Sequence, residues 1–293
     1  MSTTTATSAA MRAPRRTSRT GLLLAQAWRQ TSVGLAALVI VLALGFAFFP
    51  TVFTSIDPYV TNTAHRLRPP SVQYWFGTDY LGRDLYTRVV HGAALSLKAT
   101  VIAVSIGLFA GSLLGLVAGF AGGRTEDVLM RVIDVLLSVP GLLLSLTIMT
   151  VLGFGTVNVA IAVGISTIAT FARVMRAEVL RVKSNLYVEA AMASGVRWGT
   201  NLWRHILPNA AGPVLALAGL EFGSAILSVS SLSFLGFGAP PPAPEWGSLV
   251  AEGRDYLATA WWLTAMPGLV VVAVVLSVNR LGHALHRDEA PSH

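Results

Sequence analysis

Residues 189–209 read EAAMASGVRWGTNLWRHILPN, a polar stretch set between two long apolar runs. Glu189, Ala190, Ala191, Met192 and Ala193 favour a helix start, with Asn185 upstream as its cap. Gly195 suits the left-handed residue that closes a helix. A second short turn carries Trp198 and Trp203, and Pro208 begins the next span, where its missing N–H costs little. The expected product is two short helices joined by a glycine bend. Such a hook either transmits push and pull to a soluble partner or rests on lipid as an interfacial helix pair.

The chain around the hook has 293 residues, 54% hydrophobic and 12% charged, where soluble domains carry about 25% charged residues. That deficit implies several membrane spans and an all-α, polytopic architecture, since isolated strands leave backbone groups unpaired in lipid. Six segments reach the ~20 apolar residues that cross a bilayer: about 33–53, 94–120, 130–152, 157–174, 209–232 and 262–283. Pro140-Gly141 should kink the third span, and Gly153, Gly155 and Asn158 suit a tight turn after it. The first run, Val33 to Phe53, is too long for a signal-peptide core and lacks a small-x-small cleavage site. Residues 1–32 are therefore expected to be a disordered cytosolic tail ahead of a retained span, and residues 284–293 a second cytosolic tail.

With the N-terminus cytosolic, fifteen of the 21 Lys and Arg residues face the cytosol, those of the hook included. The other six are Arg66, Arg68, Arg83, Arg88, Lys98 and Arg254. This places both termini and the loop 177–208 inside, and the loops 54–92 and 238–260 outside. The net charge of +7 lies beside apolar runs rather than among surface aromatics, which argues against nucleic acid.

Several chemistries are excluded. Neither of the two lysines, Lys98 and Lys183, follows a glycine, so no Walker phosphate loop can be written and no ATP hydrolysis by that route occurs in this chain. There is no cysteine and no G-x-S-x-G turn, and His91 and His205 fall on opposite sides of the membrane. No catalytic residue and no metal site is expected; His283 and His286 share a helix face without the ligands that would complete a site. Glu221 in the middle of a span is expensive there and either lines a path or packs as a structural carboxyl. Asp134 should pair with Arg131 or Arg173. Gly107, Gly111, Gly115 and Gly119 make a small-residue face for close helix approach, within the chain or against a partner. In 76–93, Asp79, Arg83, Asp84 and Arg88 could form local ion pairs on a short amphipathic element at the membrane surface, or contact a delivery protein. Pro240, Pro241, Pro242 and Pro244 force an extended start on the second loop.

Three segments together resemble one family. Glu189-Ala190-Ala191, then Gly195, then Leu207-Pro208 resembles the EAA signature of ATP-binding-cassette importer permeases, with His205 where isoleucine is usual and Ile206 next. FGTDYLGRDLYTR (76–88) and SFLGFGAPPPAPEWGSLV (233–250) resemble segments of the dipeptide/oligopeptide branch, with Thr87 for serine and Phe237 for leucine. The resemblance implies a type I importer permease fold with a cytosolic coupling helix. It implies pairing with a homologous second permease, and docking of two ATPase subunits, or one two-domain ATPase, that bind ATP and magnesium. An extracytoplasmic peptide-binding protein would deliver cargo. Glu189, Ala190, Ala191, Gly195, Arg197, Trp198, Leu207 and Pro208 are the coupling candidates, Glu221 and Pro140 the path candidates, and Asp79, Arg83 and Asp84 the external-loop candidates. Peptides are the expected cargo, with nickel chelates, glutathione or haem as alternatives within the class. A secondary transporter using Glu221 would need inverted repeats with broken half-helices, which the sequence does not show.

Overall fold

A computed structural model describes the backbone of residues 19–288 and the side chains of residues 31–284; the tail readings for residues 1–18 and 289–293 lie outside the described residues. The described chain is built of helices: α1 (Arg19–Phe48), α2 (Pro50–Phe53), α3 (Leu85–Ala121), α4 (Gly123–Ser138), α5 (Gly141–Leu152), α6 (Thr156–Lys183), α7 (Leu186–Ala193), α8 (Trp198–Asn201), α9 (Leu207–Phe234), α10 (Trp246–Gly253) and α11 (Trp262–Asp288). A π-helical turn, Leu202–Ile206, joins α8 to α9. Five helical stretches are long and apolar enough to cross a membrane, and α4 with α5 makes a sixth if the bent pair is one span.

Three boundaries differ from expectation. Helix α1 begins at Arg19, so residues 19–32 continue the helix instead of forming a tail; α11 likewise runs on to Asp288. The third span is broken rather than kinked: α4 and α5 meet at 95° across Val139-Pro140. Physically, Arg124, Glu126, Asp127, Arg131 and Asp134 make α4 amphipathic, and Pro140 removes the backbone donor that would carry the helix through. The apolar remainder, the 12 residues of α5, rises only about 18 Å, short of the ~30 Å of a bilayer core.

The glycine face of α3 is spent inside the chain. Helices α3 and α6 run parallel, and a Cβ on Gly111 would sit 2.5 Å from the Ile168 carbonyl oxygen and 2.6 Å from Cβ of Phe171. On Gly119 it would sit 3.0 Å from the Arg176 oxygen, and on Gly115 it would overlap the Ala172 oxygen. Gly164 of α6 returns the fit, 2.9 Å from the Ala103 oxygen. Lipid supplies no hydrophobic drive between helices, so close backbone contact of this kind is what holds the pair. Around the pair, Ala99, Ala103, Phe171, Met175, Val214 and Val229 form a buried cluster joining α3, α6 and α9. A second cluster joins α3, α10 and α11 through Leu85, Val89, Leu97, Trp246 and Leu263. Arg280 of α11 ties down α1, its Nε and Nη2 donating to Ser32 Oγ at 2.9 and 2.7 Å.

Candidate functional site

The hook forms as its sequence suggests, at the end of the bundle where α3 and α6 finish. Asn185 occupies the N-cap position of α7, although its side chain makes no capping bond. Helix α7 closes with two turn-ending bonds: Val196 N–H donates to Ala191 O (3.1 Å) and Gly195 N–H to Met192 O (3.0 Å). This Schellman closure requires a left-handed residue, and Gly195 supplies it at φ +81°. Nothing lies within 4 Å of the place a Gly195 side chain would occupy, so the glycine is there for its backbone and not for space.

Two contacts pin the hook to the bundle. Val188 is its one fully buried α7 residue and joins the α3–α6–α9 cluster. Trp198 packs on Phe120 at the end of α3, ring centroids 4.0 Å apart, and Lys183 Nζ donates to the Phe120 carbonyl at 3.2 Å. The remaining surface is presented outward. Glu189 and Ala190 are exposed and Ala191 is half-buried; Leu186 (85%), Trp198 (64%), Trp203 (68%) and Met192 (51%) are apolar and exposed. Beside it an open concavity of about 880 Å³ is lined by Arg197, Trp198, Gly199, Thr200, Trp203 and Arg204. Exposed apolar side chains beside basic ones give this end of the bundle a surface that a partner can contact.

The sequence did not foresee the π turn before Pro208. A regular helix would set the Pro208 ring against the Arg204 carbonyl. The wider turn avoids this, with Leu207 N–H donating to Leu202 O and Asn209 Nδ2 donating to His205 O at 2.6 Å. Ile206 is the fully buried residue of the turn, while His205 is half-exposed against Tyr187, centroids 6.4 Å apart. Leu207 is half-buried and Pro208 exposed at the start of α9.

Of the path candidates, Glu221 is half-buried at the middle of α9 and has no hydrogen-bond or ion-pair partner among the described residues. Pro140 is exposed and is the N-cap of α5 at the 95° break. Asp134 pairs with Arg173 (2.7 Å) on the surface, one of the two partners its sequence position allowed.

The loop candidates gather at the opposite end of α3, and into something tighter than local ion pairs. Asp79 is 2% exposed, Arg83 4% and Arg88 0%. Asp79 Oδ2 accepts from Arg83 Nε (2.6 Å) and Arg88 Nη1 (2.7 Å). Arg88 also donates to Glu252, Nη1 to Oε2 at 2.9 Å and Nη2 to Oε1 at 3.2 Å. Two guanidinium and two carboxylate groups thus neutralise one another and clasp the first loop to α10. Asp84 takes no ion pair: it caps α3, accepting from Thr87 N–H at 2.9 Å. The expected amphipathic surface element is therefore absent among the described residues; 76–84 is a buried loop and α3 starts at Leu85. Glu245 and Trp246 complete the clasp. The Trp246 indole donates to Val89 O at 2.9 Å. Glu245, fully buried, accepts from Ser96 Oγ (3.2 Å), Gly247 N–H (3.2 Å) and Ser248 Oγ (3.0 Å).

Residues 111–289 match the family described as "Binding-protein-dependent transport system inner membrane component". The dipeptide transport system permease protein DppC of Alkalihalophilus pseudofirmus is 37% identical over 258 residues, 88% of this chain and 85% of that protein. The glutathione transport system permease protein GsiD of Escherichia coli is 41% identical over 258 residues, with the same coverages. Among solved structures, an inward-facing MetNI methionine ABC transporter chain superposes with a TM-score of 0.56 at 15% identity, covering 70% of this chain and 97% of that one; it speaks for the fold alone.

Proposed function

The chain belongs to the family of binding-protein-dependent transport system inner membrane components, and from that premise we propose how it works in an ATP-driven peptide importer. It is a multi-pass permease subunit and not an enzyme; the ATPase is a separate subunit. Peptide is the cargo best supported, through the dipeptide-transport relatives, with glutathione the neighbouring alternative. In this reading the hook end faces the cytosol with both termini, as the basic-residue bias favours. The clasped loops face outward, toward an extracytoplasmic binding protein. A homologous second permease completes the translocation path, and ATP and magnesium are held by the ATPase subunits.

One observation carries the reading: an exposed apolar hook, closed by Gly195 and running without a loop into a membrane-crossing helix. A partner that grips Trp198 and Trp203 grips the helical stretch that continues into α9, while Leu186 and Met192 of α7 widen the contact. ATP-driven closure of two such partners then moves α9 against the α3–α6 pair. Arg197 and Arg204 supply the basic rim for acidic groups on the partner.

The test is a change in the closure, not the surface. Gly195→Val forces a β-branched residue into the left-handed region, at a cost of about 1–2 kcal/mol, and the hook opens. Uptake of labelled dipeptide should fall about tenfold, since ~1.4 kcal/mol is a factor of ten, and ATPase subunits should co-purify poorly, while the thermal midpoint of the bundle stays put. Wild-type uptake with full ATPase recovery would remove the hook from coupling.

Glu221 is assigned to the path because its carboxyl, alone at mid-span, would be costly in lipid. Glu221→Gln keeps the shape and removes the charge. Uptake is expected to drop several-fold with the melting transition unmoved; unchanged uptake would make Glu221 a packing residue.

A further inference from the structure

Between α1 and α3 lies an apolar groove of about 500 Å³, walled by Ala43, Leu44 and Phe48 on one side and Ala94 and Val101 on the other, with Phe222 on its floor. A single charged residue, Lys98, lines it. Lys98 is exposed and has no hydrogen-bond or ion-pair partner among the described residues. The other lysine, Lys183, is tied to Phe120. A free ammonium on a membrane-crossing helix is costly unless it meets water or an anion.

Depth decides which anion is within reach. Helices α1 and α3 are antiparallel here: Thr54, just past α2, meets Thr87 near the start of α3 (Oγ1 to Oγ1, 2.8 Å), and Leu44 and Lys98 line the same groove. The apolar run of α3 read from the sequence as a span starts at about residue 94, four residues before Lys98, or about 6 Å along the axis. A lysine stem spans that distance and carries its ammonium to headgroup level. The groove beside it is almost wholly apolar.

We propose that this groove is a phospholipid site: an acyl chain lies between α1 and α3, and Lys98 binds the phosphate of an anionic headgroup. The occupant follows from charge complementarity and depth together. The groove accepts methylenes and nothing polar, and the one cation stands where a bilayer keeps its phosphates. Bound there, the lipid seals α1 to α3, whose direct contact is thin compared with that of α3 and α6, so headgroup charge bears on how firmly α1 is held.

Native mass spectrometry of the detergent-extracted importer, titrated with phosphatidylglycerol or phosphatidylcholine, tests this. The wild-type permease should retain phosphatidylglycerol over phosphatidylcholine. Lys98→Gln should weaken the anionic lipid about fivefold, the contribution of one lysine near a membrane surface, and Lys98→Arg should restore it. Ala94→Phe, which fills the groove from an exposed position, should weaken both lipids by about tenfold or more, because acyl methylenes lose their seat. Equal retention of the two lipids by wild type, or no change with Lys98→Gln, would overturn the assignment. So would cross-linking of a cysteine at position 98 to another protein chain, which would make the groove a subunit contact.

Discussion

Gly115→Leu is expected to prevent stable folding of the bundle. A Cβ at this position overlaps the Ala172 carbonyl oxygen and lies 2.9 Å from both the Arg176 amide nitrogen and Cβ of Met175. These are mostly backbone atoms of α6, and no rotamer change relieves them. Overpacking costs about 1–3 kcal/mol when side chains can adjust and more when they cannot; here α3 and α6 must separate along their glycine face. The expected readout is loss of the monodisperse detergent-solubilised peak and a large fall in the thermal midpoint. Gly212→Leu is the control, since nothing lies within 4 Å of its Cβ position and leucine suits a helix. Equal midpoints for the two variants would show that the α3–α6 contact tolerates separation.

Arg88→Met should cost about 3–5 kcal/mol, the range for breaking a buried ion pair from one side. Its guanidinium is fully buried and bonds both Asp79 and Glu252. Removing it leaves Glu252 with only the 3.4 Å contact to Arg83, and a cluster with one excess negative charge. Adding Glu252→Gln to Arg88→Met removes that excess charge and should recover part of the loss. Protease cleavage in the 54–84 and 238–260 loops, followed with the thermal midpoint, reads the clasp directly. A double variant no more stable than the single one would mean that charge balance is not what holds the loops together. Hook variants make the contrast: Gly195→Val is expected to lower uptake and spare the bundle, whereas the Gly115 and Arg88 variants should weaken the bundle itself.

The helices were legible because an apolar run of ~20 residues has one solution in lipid. The hook was legible too, since Glu189–Ala193, Gly195 and Pro208 each speak for a local conformation. The glycine face announced a close contact but not its partner, because spacing encodes a stripe and not what lies against it. The clasp was only half readable. Asp79, Arg83 and Arg88 sit within ten residues, but Glu252 is 164 positions from Arg88, and no period links them. The break at Pro140 was underestimated because the five charged residues of α4 matter as much as the proline. The π turn was not legible, because its bond joins the Leu207 N–H to the Leu202 carbonyl and backbone groups carry no residue signature.

That turn has a consequence for how the hook and its span are geared. From Trp198 to Phe234 the chain is a single helical stretch, 4 residues of α8, 5 of the π turn and 28 of α9, about 55 Å of shaft. Along such a shaft each residue turns the next by about 100°, so one residue added or lost rotates everything beyond it. A π turn is what remains when a helix has absorbed one extra residue, and here it brings Ile206 to the inward face. Removing one residue from 202–206 would shorten the shaft by only about 1.5 Å, yet swing the hook roughly a quarter-turn about the axis of α9. The exposed face of the hook and the mid-span position of Glu221 are thus set to one another by angular phase.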